Sequence, residues 1–354
     1  MARSILFAEV PGFYAAVERA DDPKLATRPV VVGGDPRKRG RVQAATPDAL
    51  AAGVCLDMPM LEALRYCPAA RAVPTDMRRY REVDRRFVAT LREIVPRIEP
   101  FGLGAGYADL SGSGAPGEEI AEAMRRAVRE ALSLPLRVGL ASGKFLARLA
   151  AQELPEEGVF RIPAGEEDRF LAPLPVTRLE GVGRKTAASL AELGVHTIAD
   201  VVALGRDRLH AALGAHGLRV FALATGRDDE PVHGFRHPKS ISRESRVEGD
   251  GVDYAGLSEH VAGLAHQLEL ELLRNGVAAS RIIVKLRDAG GAVVTRTRTL
   301  PTPIATAAAL LQEALPLLDR AGAGARPIRG IGIQLAELVA ATEGRRQLPL
   351  FPGG

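Results

Sequence analysis

LEGVGRKTAASL, residues 179–190, with LGV at 193–195 and DV at 200–201, is the stretch on which the reading of this chain turns. Gly181 and Gly183 carry no side chains. The backbone between two short helices can therefore turn tightly, and its N–H groups can approach a phosphate oxygen while the next helix offers its N-terminus. Lys185 adds positive charge beside them. With small and apolar residues at helical spacing on both sides, this is a helix-hairpin-helix pattern, a grip on nucleic-acid backbone that reads no base sequence. The alternative is a glycine turn between core helices, with no ligand.

Upstream of the hairpin, strands and helices mix. Residues 4–10 read as a buried strand and 13–18 as the start of a helix with Phe13, Tyr14 and Val17 on adjoining faces. PVVVGG, beginning at Pro29, reads as a strand and turn, and 48–53 and 59–66 as short helices. Tyr80, Val83, Phe87, Leu91 and Ile94 mark an amphipathic helix over 79–95. A glycine-rich strand over 98–110, a helix over 117–132, a strand and turn over 136–143 and a helix over 144–152 follow. This mixture predicts an α/β sheet domain with a small inserted helical lobe.

Downstream, 173–225 is short helices and glycine turns, and EPVHGFRHPK (230–239) reads as a linker. Residues 241–340 form a second α/β unit. Its expected elements are a helix over 254–274, strands over 281–287 and 292–300, a helix over 305–319 and a last strand over 328–335. The tail, 341–354, reads as disordered.

A length of 354 residues implies two to four domains, and 46% hydrophobic with 25% charged residues is a globular composition. A net charge of +4 with a pI near 9.2 permits a nucleic-acid partner without requiring one. Cys55 and Cys67 lack metal-ligand spacing and read as free thiols in a reducing compartment. The opening MARSILFAEV has too short an apolar run for a secretion signal or a membrane span, so a cytoplasmic location is expected; oligomeric state stays open, with a monomer as the default.

Two further segments bear on partners. Period two in RIIVKLR puts Arg281, Lys285 and Arg287 on one face and Ile282, Val284 and Leu286 on the other; Val294, Arg296 and Arg298 share a face of the next strand. The expectation is a sheet with one apolar and one basic face that tracks phosphates; a merely solvated face is the alternative. In the tail, Gln347, Leu348, Leu350 and Phe351 have the make-up of a peptide anchor, with apolar side chains for pockets and a glutamine to hydrogen-bond.

Taken in order, these features resemble the Y-family (DinB-like) translesion DNA polymerases over nearly the whole chain. The carriers are ILFAEVPGFYAAVE from Ile5, PVVVGG, Gly53-Val54, MPM from Met58, residues 142–151, the hairpin at 181–190, KSISRE from Lys239, IRGIGI from Ile328 and QLPLF from Gln347. The resemblance implies a multi-domain α/β fold shaped as a right hand. It places a palm at 1–19 and 76–166, fingers at 20–75 and a thumb with the hairpin at 167–230. A linker at 231–241, a little-finger α/β domain at 242–340 and a flexible tail at 341–354 complete it. It implies DNA as partner, primer–template or single-stranded, and a sliding clamp bound through the tail.

The family's chemistry uses three carboxylates to hold two magnesium ions about 4 Å apart. The first aligns with Glu9, longer by a methylene, and the next acidic position in that strand with Pro11. The Asp-Glu pair aligns with Gly104 and Ala105, neither of which offers a donor, and Asp109 matches a different position. The tyrosine, arginine and lysine that hold the triphosphate align with Pro47, Leu50 and Pro155, and the steric gate with Tyr14. At about 1.5–3 kcal/mol per charged contact, three such losses imply a nucleotide affinity lower by about a thousandfold or more.

The expectation from these losses is a chain with no catalytic residue, nucleotide site, metal or cofactor, and therefore not an enzyme. In its losses it resembles ImuB-type accessory proteins, which bring a partner polymerase to the clamp. Two alternatives stay open. One is a weak translesion polymerase using Mg²⁺, Glu9, Asp109 and backbone carbonyls; the other is a clamp-bound adapter for protein interactions.

Overall fold

A computed structural model describes residues 3–234, 238–247, 254–323 and 327–341. The chain divides into two compact units, Met1–Phe235 and Arg236–Gly354.

The first unit runs β1 (Ile5–Glu9), α1 (Phe13–Asp21), β2 (Val30–Gly33), β3 (Val42–Ala45), α2 (Pro47–Ala51), α3 (Met60–Tyr66), β4 (Arg71–Pro74), α4 (Met77–Ile94), β5 (Ile98–Pro100), β6 (Ala105–Asp109), α5 (Gly117–Leu132), β7 (Arg137–Ala141), α6 (Lys144–Gln152) and β8 (Gly158–Arg161). Helices α7 (Glu167–Leu171), α8 (Arg184–Glu192), α9 (Ile198–Leu204), α10 (Arg206–Leu213) and α11 (Ala215–Ala224) follow. Its main sheet has the order β5-β6-β1-β7-β8, with β1 antiparallel to both neighbours.

Successive residues of β1 point to opposite faces, and both faces are covered, so ILFA is buried throughout. Leu6, Ala8 and Val10 pack with α1, α4 and α5. Ile5 and Phe7 join α6 and the helices that carry the hairpin. Asp76 caps α4 by accepting from the N–H groups of Arg78 and Arg79. The stripe Tyr80, Val83, Phe87 and Leu91 is buried in the sheet's core, each large side chain contributing roughly 1.5–3 kcal/mol. The inserted lobe is not purely helical as expected: a smaller sheet, β3-β2-β4, carries it, and its core holds Val31, Met60 and Cys67.

The second unit runs β9 (Ser240–Arg246), α12 (Tyr254–Asn275), β10 (Val277–Asp288), β11 (Val293–Ile304), α13 (Ala307–Arg320) and β12 (Ile328–Ala340). Its antiparallel sheet has the order β11-β10-β12-β9. Ile282, Val284 and Leu286 face the core shared with α12 and α13.

The long amphipathic helices follow the sequence reading closely. The glycine-rich stretch over 98–110 is two strands, β5 and β6, joined by a turn in which Gly102 and Gly104 take φ of 68° and 73°. Strands β3, β4 and β8 have four residues each, too few to show a period. The expected linker at 231–241 ends inside β9, whose alternating burial begins at Ser240. The tail, with Gln347, Leu348, Leu350 and Phe351, lies outside the described residues. Among those described, no helix is long and apolar enough to cross a membrane.

Candidate nucleic-acid interface and active site

In the hairpin, Val182, Leu190, Val195, Ile198 and Val201 enter the core, while Gly181, Gly183, Arg184 and Lys185 are exposed. Gly181 has φ of 86°, and a Cβ there would meet His216 Cε1 at 2.7 Å. Gly183 is different: a Cβ there would meet nothing within 4 Å. No side chain caps α8, so its first N–H groups open toward the exposed turn. The next helix is fixed by a capping box between Thr197 and Asp200. Hydrogen bonds from the backbone N–H groups of Thr197 and His196 hold the Asp200 carboxyl below its ordinary value. The geometry suits two or three N–H donors and a lysine meeting one phosphate.

On the C-terminal sheet, Arg281, Lys285 and Arg287 lie on the face that the helices leave open. The expectation for Arg296 and Arg298 is overturned. In register, Ile282 pairs with Arg298 and Val284 with Arg296, while Thr299 and Thr295 sit opposite Arg281 and Lys285. Directly paired residues point to the same side, so both arginines belong to the helix-covered side. There Arg298 pairs with Glu313 at 2.7 Å and Arg296 donates to the Arg320 carbonyl at 3.0 Å, both on α13. Arg281 is held by Glu337 at 2.7 Å.

Sequence reasoning missed Arg246, because β9 was not recognised as a strand. It pairs with Gly330, which pairs with Arg287, so the two arginines flank a glycine on one face. Gly330 and Gly332 floor a groove of about 810 Å³ that Lys285, Arg287, Arg246 and Glu244 line. The alternating glycines of RGIGI were the available signal: two missing side chains in one sheet face leave a channel.

The carboxylate positions are built differently from a metal centre. Glu9 ends β1, paired in register with Ala105 on one side and Arg137 on the other. The Arg137 guanidinium donates to Glu9 Oε1 at 2.9 Å and to the Leu154 carbonyl at 3.0 Å. Both side chains are 18% exposed. Burial pushes the Glu9 carboxyl up, opposed by Arg137.

At Gly104 a Cβ would stand 2.3 Å from the Phe13 ring. Its N–H donates to Asp84 Oδ1 at 2.7 Å, and Ala105 is buried. Asp109 is exposed and accepts from the Ser111 N–H at 2.9 Å. Among the described residues no three His, Cys, Asp or Glu are grouped to hold a metal ion. The residues present therefore do not fit the two-magnesium centre that the resemblance implies: one carboxylate is taken by a guanidinium, and two positions have no donor atom.

Tyr14 stacks on buried Tyr80 at 4.4 Å with the rings 8° from parallel, and Tyr80 donates to Glu18 at 2.6 Å. Pro47 opens α2, and Leu50 is 43% exposed. A cavity of about 580 Å³ beside Pro11, Thr46 and Pro47 is lined by Arg19, Arg129, Glu156 and Glu157. Arg137 and Asp84 escaped sequence reasoning because each acquires its role only from a strand or helix far away in the chain.

Asp84 yields a pH-dependent expectation. Burial raises its carboxyl above the ordinary value, opposed by the Gly104 N–H. The folded state thus favours the protonated form. That contribution is full below the ordinary carboxylate range and is lost as pH rises through the raised value. Asp84→Asn keeps an acceptor for the Gly104 N–H without the charge. It should raise the thermal midpoint at neutral pH, with the gain vanishing below the ordinary carboxylate range. A midpoint lowered at neutral pH would show that a cation stabilises Asp84.

Comparison with known proteins extends over the whole chain. The impB/mucB/samB family matches residues 9–152, its HHH motif residues 164–195, and its C-terminal domain residues 238–350. The chain is 34% identical over 353 residues to a DNA polymerase IV of Alkalilimnicola ehrlichii, covering 99% of each. It is 35% identical to a DNA polymerase IV of Ralstonia nicotianae, covering 99% of this chain and 98% of that one. Among solved structures, a Y-family DNA polymerase chimera matches with a TM-score of 0.80 at 23% identity, covering 95% of this chain and 99% of that one. An insertion ternary complex of Dbh DNA polymerase matches at 0.75, also at 23% identity and with the same coverage. These relatives correct one expectation. The chain was read as a non-enzyme from its missing ligands, whereas full-length relatives at this identity are named polymerases and point to polymerase activity. The missing donors bear on how such a site handles metal and nucleotide, and do not by themselves decide the activity.

Proposed function

Because this chain belongs to the impB/mucB/samB family, the Y-family DNA polymerases, we propose that it acts on primer–template DNA as a translesion-type polymerase. Its grip is sequence-independent. Gly181, Gly183 and Lys185 meet phosphates at the hairpin, and Arg281, Lys285 and Arg287 meet them on the C-terminal sheet. The observation that carries this reading is the ordered match of the family's segments together with 34% identity over 99% of both chains. The Glu9–Arg137 pair and the donorless Gly104 and Ala105 make slow incorporation the expected behaviour. Primer extension with matched dNTP and Mg²⁺ or Mn²⁺ tests this. Metal-dependent incorporation supports it. No incorporation by protein that binds primer–template normally overturns it.

We propose further that Gln347, Leu348, Leu350 and Phe351 seat in apolar pockets of a sliding clamp. Leu350→Ala with Phe351→Ala should weaken clamp binding by about a hundredfold or more, at roughly 2 kcal/mol for each anchor, and leave DNA affinity unchanged. Surface plasmon resonance on immobilised clamp reads the first effect. A fall in DNA affinity in the same variant would show that the tail has another place.

A further inference from the structure

Helix α4 carries, besides its buried stripe, a second stripe made of arginine. Arg78, Arg81, Arg85 and Arg92 are all exposed. At about 100° per residue they fall within about 60° of one another, and at about 1.5 Å per residue they span about 21 Å. Neighbouring arginines are occupied: Arg79 takes Asp21 and Glu82, and Arg86 donates to the Ala131 carbonyl. Among the described residues no carboxylate pairs with the four of the stripe. Arg85 reaches only the Arg81 carbonyl, at 3.3 Å. Asp84 turns away to the Gly104 N–H.

This arrangement acts against the helix that carries it. Like charges three and four residues apart repel, and Arg78 stands in the first turn, at the positive end of the helix dipole. A face that weakens its own helix is best accounted for by a ligand of opposite charge. Ala89 and Val88 flank the stripe, and of the two only Ala89 is exposed, so the stripe has no exposed aromatic or large apolar anchor. Protein interfaces need such a core, whereas a polyphosphate needs only charge and planar guanidinium donors. The stripe also lies on the side of the main sheet that carries Leu6, Ala8 and Val10, and the hairpin packs on the opposite side with Ile5 and Phe7. A duplex held at the hairpin would have the sheet between itself and the stripe.

We propose that Arg78, Arg81, Arg85 and Arg92 form a second contact surface for nucleic-acid backbone, one that takes a strand other than the segment held at the hairpin. It rests on the reading of this chain as a DNA-binding polymerase. The recognition is of phosphodiesters without base readout, through release of condensed counterions.

The test is fluorescence anisotropy of the full chain on a primer–template with a long single-stranded template extension, over roughly 50 to 200 mM salt. Wild type is compared with Arg78→Gln/Arg81→Gln/Arg85→Gln, since glutamine is about as good a helix former as arginine. At about 0.7–0.9 per phosphate contact, the slope of log affinity against log salt should fall by about 2–3 in magnitude. On a short duplex without the extension the two proteins should bind alike. The variant's thermal midpoint should equal or exceed wild type, because like charges have been removed. An unchanged salt slope on the extended substrate overturns the proposal; that is also the result if the stripe serves an acidic protein. Wild type failing to bind either DNA would instead remove the polymerase reading itself.

Discussion

Gly183→Glu combined with Lys185→Glu is expected to weaken binding to primer–template by about a hundredfold or more, with thermal unfolding unchanged. Position 183 has φ of −82° and open space around a Cβ, so a side chain fits without strain. That side chain would cover the N–H groups at the start of α8 and bring a carboxylate where a phosphate would sit. Each charge-assisted hydrogen bond lost is worth about 1.5–3 kcal/mol, so losing two gives the factor stated. Anisotropy in low salt beside a melting curve separates binding from folding. Gly181→Ala is a poor substitute, because φ of 86° and His216 at 2.7 Å would cost stability as well. Unchanged affinity in the double variant would reduce the hairpin to a turn between core helices.

Gly104→Asp, which would return a carboxylate to this position of the family's Asp-Glu pair, is expected to destabilise the first unit by about 2–6 kcal/mol instead of building a metal site. A non-glycine residue at φ of 73° carries about 1–3 kcal/mol of backbone strain. Displacing the Phe13 ring, 2.3 Å from the added Cβ, adds about 1–3 kcal/mol of overpacking. Urea unfolding measures the sum. Near-native stability together with a Mg²⁺-dependent rise in the melting point would show that Phe13 moves aside and that a cation can be held. Arg137 would still engage Glu9 in that variant, so the carboxylate there would not be free to join it.

How far the site could be read from the sequence depended on whether its features were local. The hairpin was legible, since its two glycines and Lys185 lie within five residues and the flanking apolar residues recur at helical spacing. Missing donors at Gly104 and Ala105 were legible too, because glycine and alanine offer none in any fold. Arg296 and Arg298 were misplaced for a specific reason. Period two tells which residues of one strand share a face, but the phase between two strands is set by their register. A shift of one residue exchanges the faces, and with Ile282 opposite Arg298 the arginines fell on the side of α13. The inference from missing ligands to a non-enzyme failed differently: it took a ligand count for a statement about activity, and the full-length polymerase relatives overruled it.

By itself the sequence determined the two α/β units, the long amphipathic helices, the hairpin and the family, because periodicity, glycine positions and motif order are properties of short segments. Only the tertiary structure decided what surrounds Glu9. Arg137 lies 128 positions away in the chain and becomes its partner because β7 pairs with β1 in that register. Phe13 closes over Gly104 because β6 pairs with β1, and Asp84 reaches the Gly104 N–H from α4. Buried contacts between distant segments follow from register and packing, and no local pattern encodes either one.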